Sequence, residues 1–288
     1  MIKFLLSCWL MLPIILSAEP IFQLYGAALQ GGLMRGEISA DVIDIFHNYQ
    51  KVNFQDQQFI LGFDRDEKLN HIITFVLADG TMISKRFSLQ AQSYQIAEIE
   101  LPPSKSEYSS PPHPELSKRI RSEAKMLKEA RAEINSNKNS YISENFSRAV
   151  EGGRISGLFG SQRIINGVAK RPHNGLDIAA PSGTAVKAMN SGEVALTGDY
   201  FYNGKFVLLD HGEGLSSIYI HLSEITVEIG QIVKSGELIG KIGNSGRSTG
   251  PHLHWGISYR GKKIDPALIS DLDQLFLRYP QEVDLSQE

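Results

Sequence analysis

The chain has 288 residues, of which 42% are hydrophobic and 21% charged; this excludes a wholly disordered or fibrous protein and suffices for roughly two domains of about 100–200 residues. With 29 basic and 32 acidic residues the net charge is −3, so overall charge favours neither nucleic acid nor an anionic membrane as a partner. The single cysteine, Cys8, excludes a disulfide framework and a cysteine-rich zinc site, so any metal must be bound by His, Asp or Glu.

The N-terminus has the pattern of a secretory signal peptide. Lys3 precedes an apolar run from Phe4 to Leu16, and Ser17 and Ala18 follow it. We therefore predict a signal peptide over residues 1–18, cleaved after Ala18, and export of the remaining chain. The run is shorter than the ~20 residues that span a bilayer. An uncleaved anchor remains an alternative. A lipoprotein cut before Cys8 is less favoured, because it would leave most of the apolar run attached.

Residues 19–103 are predicted to form an N-terminal β-rich domain. Short apolar runs alternate there with turn signals, and residues 72–77 and 82–89 flank Asp79-Gly80 as in a β-hairpin. We interpret this part as a small β-sandwich. Its two histidines, His47 and His71, have no neighbouring candidate ligand in the sequence, and we expect ordinary structural roles for them.

Residues 104–147 are predicted to be a linker followed by an amphipathic helix. The segment before Pro114 is rich in Pro and Ser, as linkers are. After it, apolar residues recur at helical spacing, and Glu115/Arg119 and Lys125/Glu129 are placed for i,i+4 ion pairs. Because both signs of charge are interleaved, we expect a connecting helix that packs one stripe on a domain.

Residues 148–270 are predicted to carry the chemistry, and 271–288 a C-terminal tail. Glycine-punctuated strands begin near Arg148, and five of the eight histidines fall between His173 and His254. A catalytic zinc site uses three His or carboxylate ligands and leaves one position open. The candidates are His173, Asp177, His221, His252 and His254.

Two of these candidates are predicted to share one face of a strand. His252 and His254 flank Leu253 in a strand-like stretch, and side chains alternate along a strand, so both imidazoles face the same side. The pair can supply two ligands, or one ligand and one neighbour. The residues alone do not decide between these arrangements.

His173 and Asp177 need a turn between them to share an ion. In an extended chain at about 3.3 Å per residue they would lie roughly 13 Å apart, whereas metal–ligand bonds are about 2 Å long. Asn174-Gly175 is a dipeptide that permits such a turn.

Three motifs together resemble the M23 family of zinc metallopeptidases, the lysostaphin-like (LytM-type) peptidoglycan endopeptidases. They are HNGLDIAAPSGT, DHGEGLSSIYIHL and GNSGRSTGPHLHWG, in this order along the chain. The similarity runs from about Arg154 to Pro266, and the N-terminal half more loosely resembles the corresponding region of exported proteobacterial members. The implied fold is mainly β, with a small sandwich-like domain, a connecting helix and a C-terminal antiparallel sheet of the LytM, or duplicated-hybrid-motif, type.

The resemblance implies a role for each candidate. His173, Asp177 and His254 would bind one Zn²⁺ per chain, and His221 and His252 would be the catalytic pair, with the roles within the pair left open. The implied activity is hydrolysis of peptide cross-links in peptidoglycan through a metal-activated water. We expect His211, in a familiar segment near a turn, to be structural.

The expected partners follow from the family and from export. Peptidoglycan stem peptides in the periplasm or cell envelope would be the substrate. Nucleic acid is not expected as a partner, whereas a regulatory envelope protein is a candidate partner. The N-terminal domain is expected to cover the active site in a resting form, and Tyr202, Asn203 and Tyr259 are candidates for lining the groove.

Two other functions compete with the enzyme. One is a catalytically inactive LytM-like activator of other wall hydrolases, which the presence of all five site residues disfavours. The other is a lipoyl- or biotinyl-type carrier, which the strand pattern resembles. That reading is disfavoured because Asn190 stands where a biotinylated domain needs lysine, and because a carrier has no need for a histidine cluster.

Overall fold

The computed structural model describes residues 21–100, 114–134, 140–141 and 146–269. The predicted signal peptide, most of the predicted linker and the C-terminal tail lie outside these residues. Neither described helix is both long and apolar enough to cross a membrane.

The N-terminal part is a two-sheet β-sandwich, as the sequence predicts. One sheet has the order β1-β2-β5 and the other β4-β3-β6-β7. The predicted hairpin is formed by β6 and β7, paired from Asn70↔Ser88 to Val76↔Met82. Side chains alternate along β6, so that His71, Ile73 and Phe75 are buried between the sheets. The strands are β1 (Phe22–Gly26), β2 (Leu33–Ile38), β3 (Val42–His47), β4 (Gln50–Val52), β5 (Gln58–Gly62), β6 (Asn70–Leu77) and β7 (Met82–Ser88).

The two histidines of the sandwich contact each other. His47 Nε2 lies 2.8 Å from His71 Nδ1, and His71 Nε2 donates to the Lys68 carbonyl at 2.6 Å. Burial lowers the pKa of His47 to about 4, and the pKa of His71 is lowered for the same reason. Both rings are therefore neutral at neutral pH and serve the packing of this domain.

The predicted amphipathic helix is α1 (Pro114–Ile134). Proline at its first position suits a helix start, because the N–H that proline lacks would have no partner inside the helix. The Lys125–Glu129 ion pair forms as predicted, at 3.7 Å. The prediction for Arg119 was wrong: it pairs with Glu123 at 2.6 Å instead of Glu115, because Glu123 also accepts the Phe201 N–H and is held in place.

The C-terminal part is built around one large sheet with the order β17-β14-β15-β16-β19-β12-β9, in which β13, β18 and β20 pair at the side. A separate small sheet consists of β11, β10 and β8. The strands are β8 (Ile96–Ile99), β9 (Arg154–Gly157), β10 (Gln162–Ile165), β11 (Val168–Ala169), β12 (Leu176–Ala179), β13 (Ala185–Lys187), β14 (Gly192–Tyr200), β15 (Gly204–Gly212), β16 (Leu215–Ile225), β17 (Ile232–Val233), β18 (Leu238–Ile242), β19 (His252–Tyr259) and β20 (Lys262–Ile264), followed by α2 (Pro266–Ile269).

The two faces of this sheet are covered differently. Tyr219 on β16 lies opposite Trp255 on β19, and both are fully buried in the main core. The other face carries Ile218 and Ile220, and α1 packs against it through Leu127, Ala130 and Ile134. Ile220 is the register partner of His254. The helix therefore lies on the same face of the sheet as the candidate metal ligands.

The N-terminal sandwich and the C-terminal sheet are in direct contact. Leu33 and Ile60 belong to the core of the C-terminal part, and Tyr259 donates to the Ile60 carbonyl at 3.0 Å. A salt bridge of 2.6 Å joins Lys262 to Glu67. In addition, β8 pairs in parallel with β10, although it precedes the linker in the chain.

Candidate active site

Strand pairing brings Asp177 and His254 together. They are register partners on β12 and β19, and His254 Nδ1 lies 2.8 Å from Asp177 Oδ1. His252 and His254 share one face of β19, whereas Leu253 between them is buried on the other. This is the arrangement that strand periodicity predicts.

His173 joins them from the loop that precedes β12. Its Nε2 lies 3.0 Å from Asp177 Oδ1 and 2.9 Å from His254 Nδ1, so the chain turns between residues 173 and 177 as expected. Gly175 is needed for a different reason than turn formation. A Cβ there would lie 2.5 Å from the Trp255 carbonyl and 2.8 Å from the His254 ring. Only glycine lets the loop approach this closely.

A backbone carbonyl fixes the tautomer of His173. Its Nδ1 donates to Leu158 O at 2.9 Å, which leaves the Nε2 lone pair directed at the cluster. Two further backbone hydrogen bonds, from Gly160 N to His173 O and from His173 N to Ser161 O, hold the residue against the loop of residues 158–161. Metal-binding histidines typically donate the N–H of their second ring nitrogen in this way, as His173 Nδ1 does to Leu158 O.

The charges of the cluster suit a cation. Burial alone would raise the pKa of Asp177, but hydrogen bonds from His173 and His254 outweigh it and hold that pKa well below its usual range. For His173, burial opposes protonation, yet the nearby carboxylate raises its pKa overall. Burial lowers the pKa of His254 in spite of the same carboxylate. The cluster is thus an ionised carboxylate and two imidazoles.

The three donor atoms fit a zinc ion. Two imidazole nitrogens and a carboxylate oxygen are a zinc-type donor set, and ligands about 2 Å from one tetrahedral ion lie roughly 3.4 Å apart. The observed separations are 2.8–3.0 Å. Within the described part of the chain, no other group of three His, Cys, Asp or Glu residues converges in this way. The side chains keep 17–23% of their surface exposed, so water can reach the cluster.

His221 is held beside the cluster by two loops. Its N–H donates to Asn203 O at 2.9 Å and its Nδ1 donates to Ser245 O at 2.8 Å. Its backbone is left-handed, with φ of 67°, at the point where β16 stops pairing with β19 and begins to pair with β18. Burial, together with the charges of the neighbouring histidines, lowers the pKa of His221 to about 4. The ring is neutral at neutral pH.

His252 has a similar environment. Its Nδ1 donates to Gly250 O at 2.8 Å, and the His221 and His252 ring centres are 4.8 Å apart. Because Nδ1 of each ring faces a carbonyl that can only accept, the neutral form of either ring has its proton on Nδ1 and its lone pair on Nε2. The two rings together can therefore take up and return a proton.

The remaining sequence candidates lie elsewhere or at the edge of the site. His211 is fully buried between Ser191 O and Ser217 Oγ, at 2.7 and 2.8 Å, and takes no part in the cluster. Tyr259 is buried at the contact between the two domains and does not line a groove. Tyr202 is 40% exposed and packs against Arg247 beside the loop that holds His221.

Sequence reasoning missed the backbone groups that orient the histidines. These groups are four carbonyls that accept hydrogen bonds from the histidines, those of Leu158, Asn203, Ser245 and Gly250. Any residue type offers a carbonyl, so the only sequence signal available was the glycine content of the loops.

Comparisons with known proteins agree with this geometry. Residues 171–266 match the model of Peptidase family M23. Peptidoglycan DD-endopeptidase ShyA of Vibrio cholerae is 44% identical over 114 residues, 39% of this chain and 26% of that protein. DD-carboxypeptidase/endopeptidase Mpg of Neisseria meningitidis is 38% identical over 117 residues, 41% of this chain and 27% of that protein. The matched part of the chain thus spans about a quarter of the length of these relatives.

The fold has a solved counterpart. A crystal structure of a Pseudomonas aeruginosa protein assigned to peptidase M23 superposes with a TM-score of 0.63 at 29% sequence identity, covering 85% of this chain and 96% of that one. The likeness therefore extends over the N-terminal sandwich as well. Residues 171–266, which contain the cluster of His173, Asp177 and His254, are a domain of peptidase family M23.

Proposed function

We propose that this protein is a zinc-dependent endopeptidase that hydrolyses peptide cross-links of bacterial peptidoglycan. The observation that carries the proposal is the convergence of His173, Asp177 and His254 beside the His221–His252 pair. The names of the relatives, a peptidoglycan DD-endopeptidase and a DD-carboxypeptidase/endopeptidase, support the substrate class. An envelope location follows from that substrate and agrees with the predicted signal peptide.

In this proposal His173 Nε2, His254 Nδ1 and an oxygen of Asp177 hold the metal. When bound, zinc supplies Lewis acidity and lowers the pKa of water to about 7. Leu158 O keeps His173 in the tautomer that binds a metal. Gly157 and Gly175 lie so close to the ligands that a side chain at either position would push the ligands apart. A Cβ at Gly157 would lie 2.4 Å from Asp177 Oδ2.

His221 and His252 are proposed to move the protons. A neutral ring accepts a proton from the attacking water at Nε2, while Nδ1 stays bonded to its carbonyl. The resulting imidazolium can donate from Nε2 to the leaving amine or stabilise the oxyanion. In both rings Nδ1 is bonded to a backbone carbonyl, so we assign these roles to the pair jointly. An inactive activator is not favoured, since it would need none of this machinery.

We propose that the N-terminal domain supports the active site, whereas the sequence suggested that it covers the active site. Arg65 of this domain donates to Gly160 O at 2.9 Å and packs on Tyr94. Tyr94 in turn contacts Phe159. These contacts hold the loop that carries Leu158 O and thereby His173.

Paired variants test the proposed roles. Asp177→Ala should lose bound zinc and nearly all hydrolysis of purified peptidoglycan. His221→Ala should keep one zinc per chain but lose about 100- to 10,000-fold in rate. His221→Gln keeps a donor for Ser245 O and serves as the matched variant. Metal analysis and release of peptide fragments from sacculi are the readouts. Wild-type turnover of His221→Ala would contradict the acid–base role.

A further inference from the structure

A cavity of about 100 Å³ adjoins the cluster on the same face of the sheet. Residues of α1, β15, β16, β19 and β20 line it, among them Arg131, Ile218, His254 and Lys263, together with Asn174 from the loop before β12. It shares one wall, the His254 ring, with the candidate metal site.

Two cationic side chains line this cavity. Arg131 lies in the last turn of α1, and its buried Nε has no hydrogen-bond partner. Lys263 lies on β20, and its Nζ contacts Ser258 Oγ at 3.3 Å. Neither side chain forms an ion pair with another described residue, and no carboxylate lines the cavity. Two half-buried cations thus share a cavity that no carboxylate lines.

The surroundings make this arrangement unfavourable in the absence of an anion. Burial and, to a smaller extent, the charge of Arg131 together lower the pKa of Lys263 to about 8, against the opposing effect of Asp64. Burial also lowers the pKa of Arg131. A carboxylate placed between them would accept hydrogen bonds from both cations and remove their repulsion, which in a partly desolvated site is worth more than at the surface.

We propose that the cavity binds a free carboxylate of the peptide substrate through Arg131 and Lys263. This inference rests on the proposed peptidase function and specifies the substrate further. Lys263 is the register partner of Ser258, four residues along β19 from His254. At about 3.3 Å per residue, the bound carboxylate lies within roughly four residues of the bond that is cut. Arg131 lies outside residues 171–266, so this selectivity comes from α1 and not from the family domain.

Direct binding tests the site independently of hydrolysis. The probes are acetyl-D-Ala-D-Ala with a free C-terminus and its C-terminal amide. Each is titrated by calorimetry or NMR into the full chain, both loaded with zinc and freed of metal with a chelator. We expect the acid to bind and the amide to bind at least tenfold more weakly. Arg131→Gln and Lys263→Gln should each weaken the acid on the order of 10- to 100-fold and leave the amide unchanged. Arg121→Gln, an exposed cation on the same helix, is the matched control.

The possible outcomes separate the site from the enzyme. Equal losses for acid and amide would mean that Arg131 has only a structural role and would overturn the inference. The inference would also be overturned if the acid bound only to the metal-loaded protein and its binding did not depend on Arg131 or Lys263. The carboxylate would then bind at the metal and not in the cavity. Selective binding by a protein that does not cut peptidoglycan would support the cavity and reject the proposed function. Melting temperatures confirm that each variant is folded.

Discussion

His221 combines an unusual backbone with a defined ring orientation. A left-handed conformation is uncommon for a residue with a side chain and costs on the order of 1–2 kcal/mol, so it persists where neighbouring contacts enforce it. Here those contacts are the bonds to Asn203 O and Ser245 O. The bend turns β16 away from β19 at the site, which leaves space beside His254 for a second imidazole.

His211 makes folding stability sensitive to acid. Burial lowers its pKa from 6.5 to about 4, so the unfolded chain binds the proton more tightly. Its contribution is complete above pH 6.5 and is lost as the pH falls towards 4, up to about 3 kcal/mol. Between pH 8 and 4.5, His211→Gln should flatten the pH dependence of the free energy of unfolding by about 2.5 kcal/mol. Urea titrations from pH 4.5 to 8 with chelator present measure it, and parallel curves for both proteins would contradict it.

At the scale of single residues, the sequence predicted the candidate ligands through the chemistry of their side chains. An H-x-x-x-D segment and an H-x-H segment bring the right atom types, and strand periodicity places two of the histidines on one face. The choice between His252 and His254 needed the family resemblance. In the structure, the Nδ1 of His252 is taken by Gly250 O, while that of His254 faces Asp177. This depends on loop geometry, which spacing does not encode.

Two loops pack backbone to backbone to hold His221. Both Gly204 and Gly246 are left-handed, and a Cβ on Gly246 would lie 2.2 Å from Gly204 N. Gly246→Ala should therefore push the loops apart, move Ser245 O away from His221 and lower the rate of peptide hydrolysis by at least tenfold. Hydrolysis of peptidoglycan at saturating zinc measures this effect.

Gly230→Ala is the matched control for this prediction. Gly230 is also left-handed, with φ of 83°, but nothing lies within 4 Å of an added Cβ. Its substitution should cost about 1 kcal/mol of stability and leave the rate unchanged. Equal activity losses in the two variants would mean that backbone strain, and not the clash between loops, is responsible.

At the scale of elements, hydrophobic patterning predicted strands and helix well. The hairpin of β6 and β7 and the long helix α1 follow from local periodicity. The partner of Arg119 did not, because Glu123 is held by the Phe201 N–H, a contact between residues 78 positions apart. Arg131 likewise appears on the helical wheel as an ordinary surface cation; only tertiary packing brings it to the cavity.

The whole molecule depends on contacts between its two parts. The sequence predicted two domains with a linker, but not that Leu33 and Ile60 would complete the core of the second. Nor did it predict the parallel pairing of β8 with β10. Contacts between residues this far apart in sequence leave no local signal, since each participating strand has the same alternation whether its partner is near or far.

A fragment beginning at Arg148 should be less stable and less active than the full chain. It would lose the bond from Arg65 to Gly160 O and expose the surface that Leu33 and Ile60 cover. This result is expected if the N-terminal domain supports the active site. If the domain instead covers the active site, the fragment should be more active than the full chain. Specific activity of both proteins at equal zinc occupancy, with thermal melting, distinguishes the two.

The pairing of β8 with β10 also affects what a break in the chain would do. β8 ends at Ile99 and α1 begins at Pro114, and both elements are held to the C-terminal part by their own contacts. Protease cleavage between them would leave two pieces that continue to bind each other without a covalent link. The nicked protein would migrate as two bands in a denaturing gel and as one particle in native size exclusion, and would remain a complementing pair of fragments.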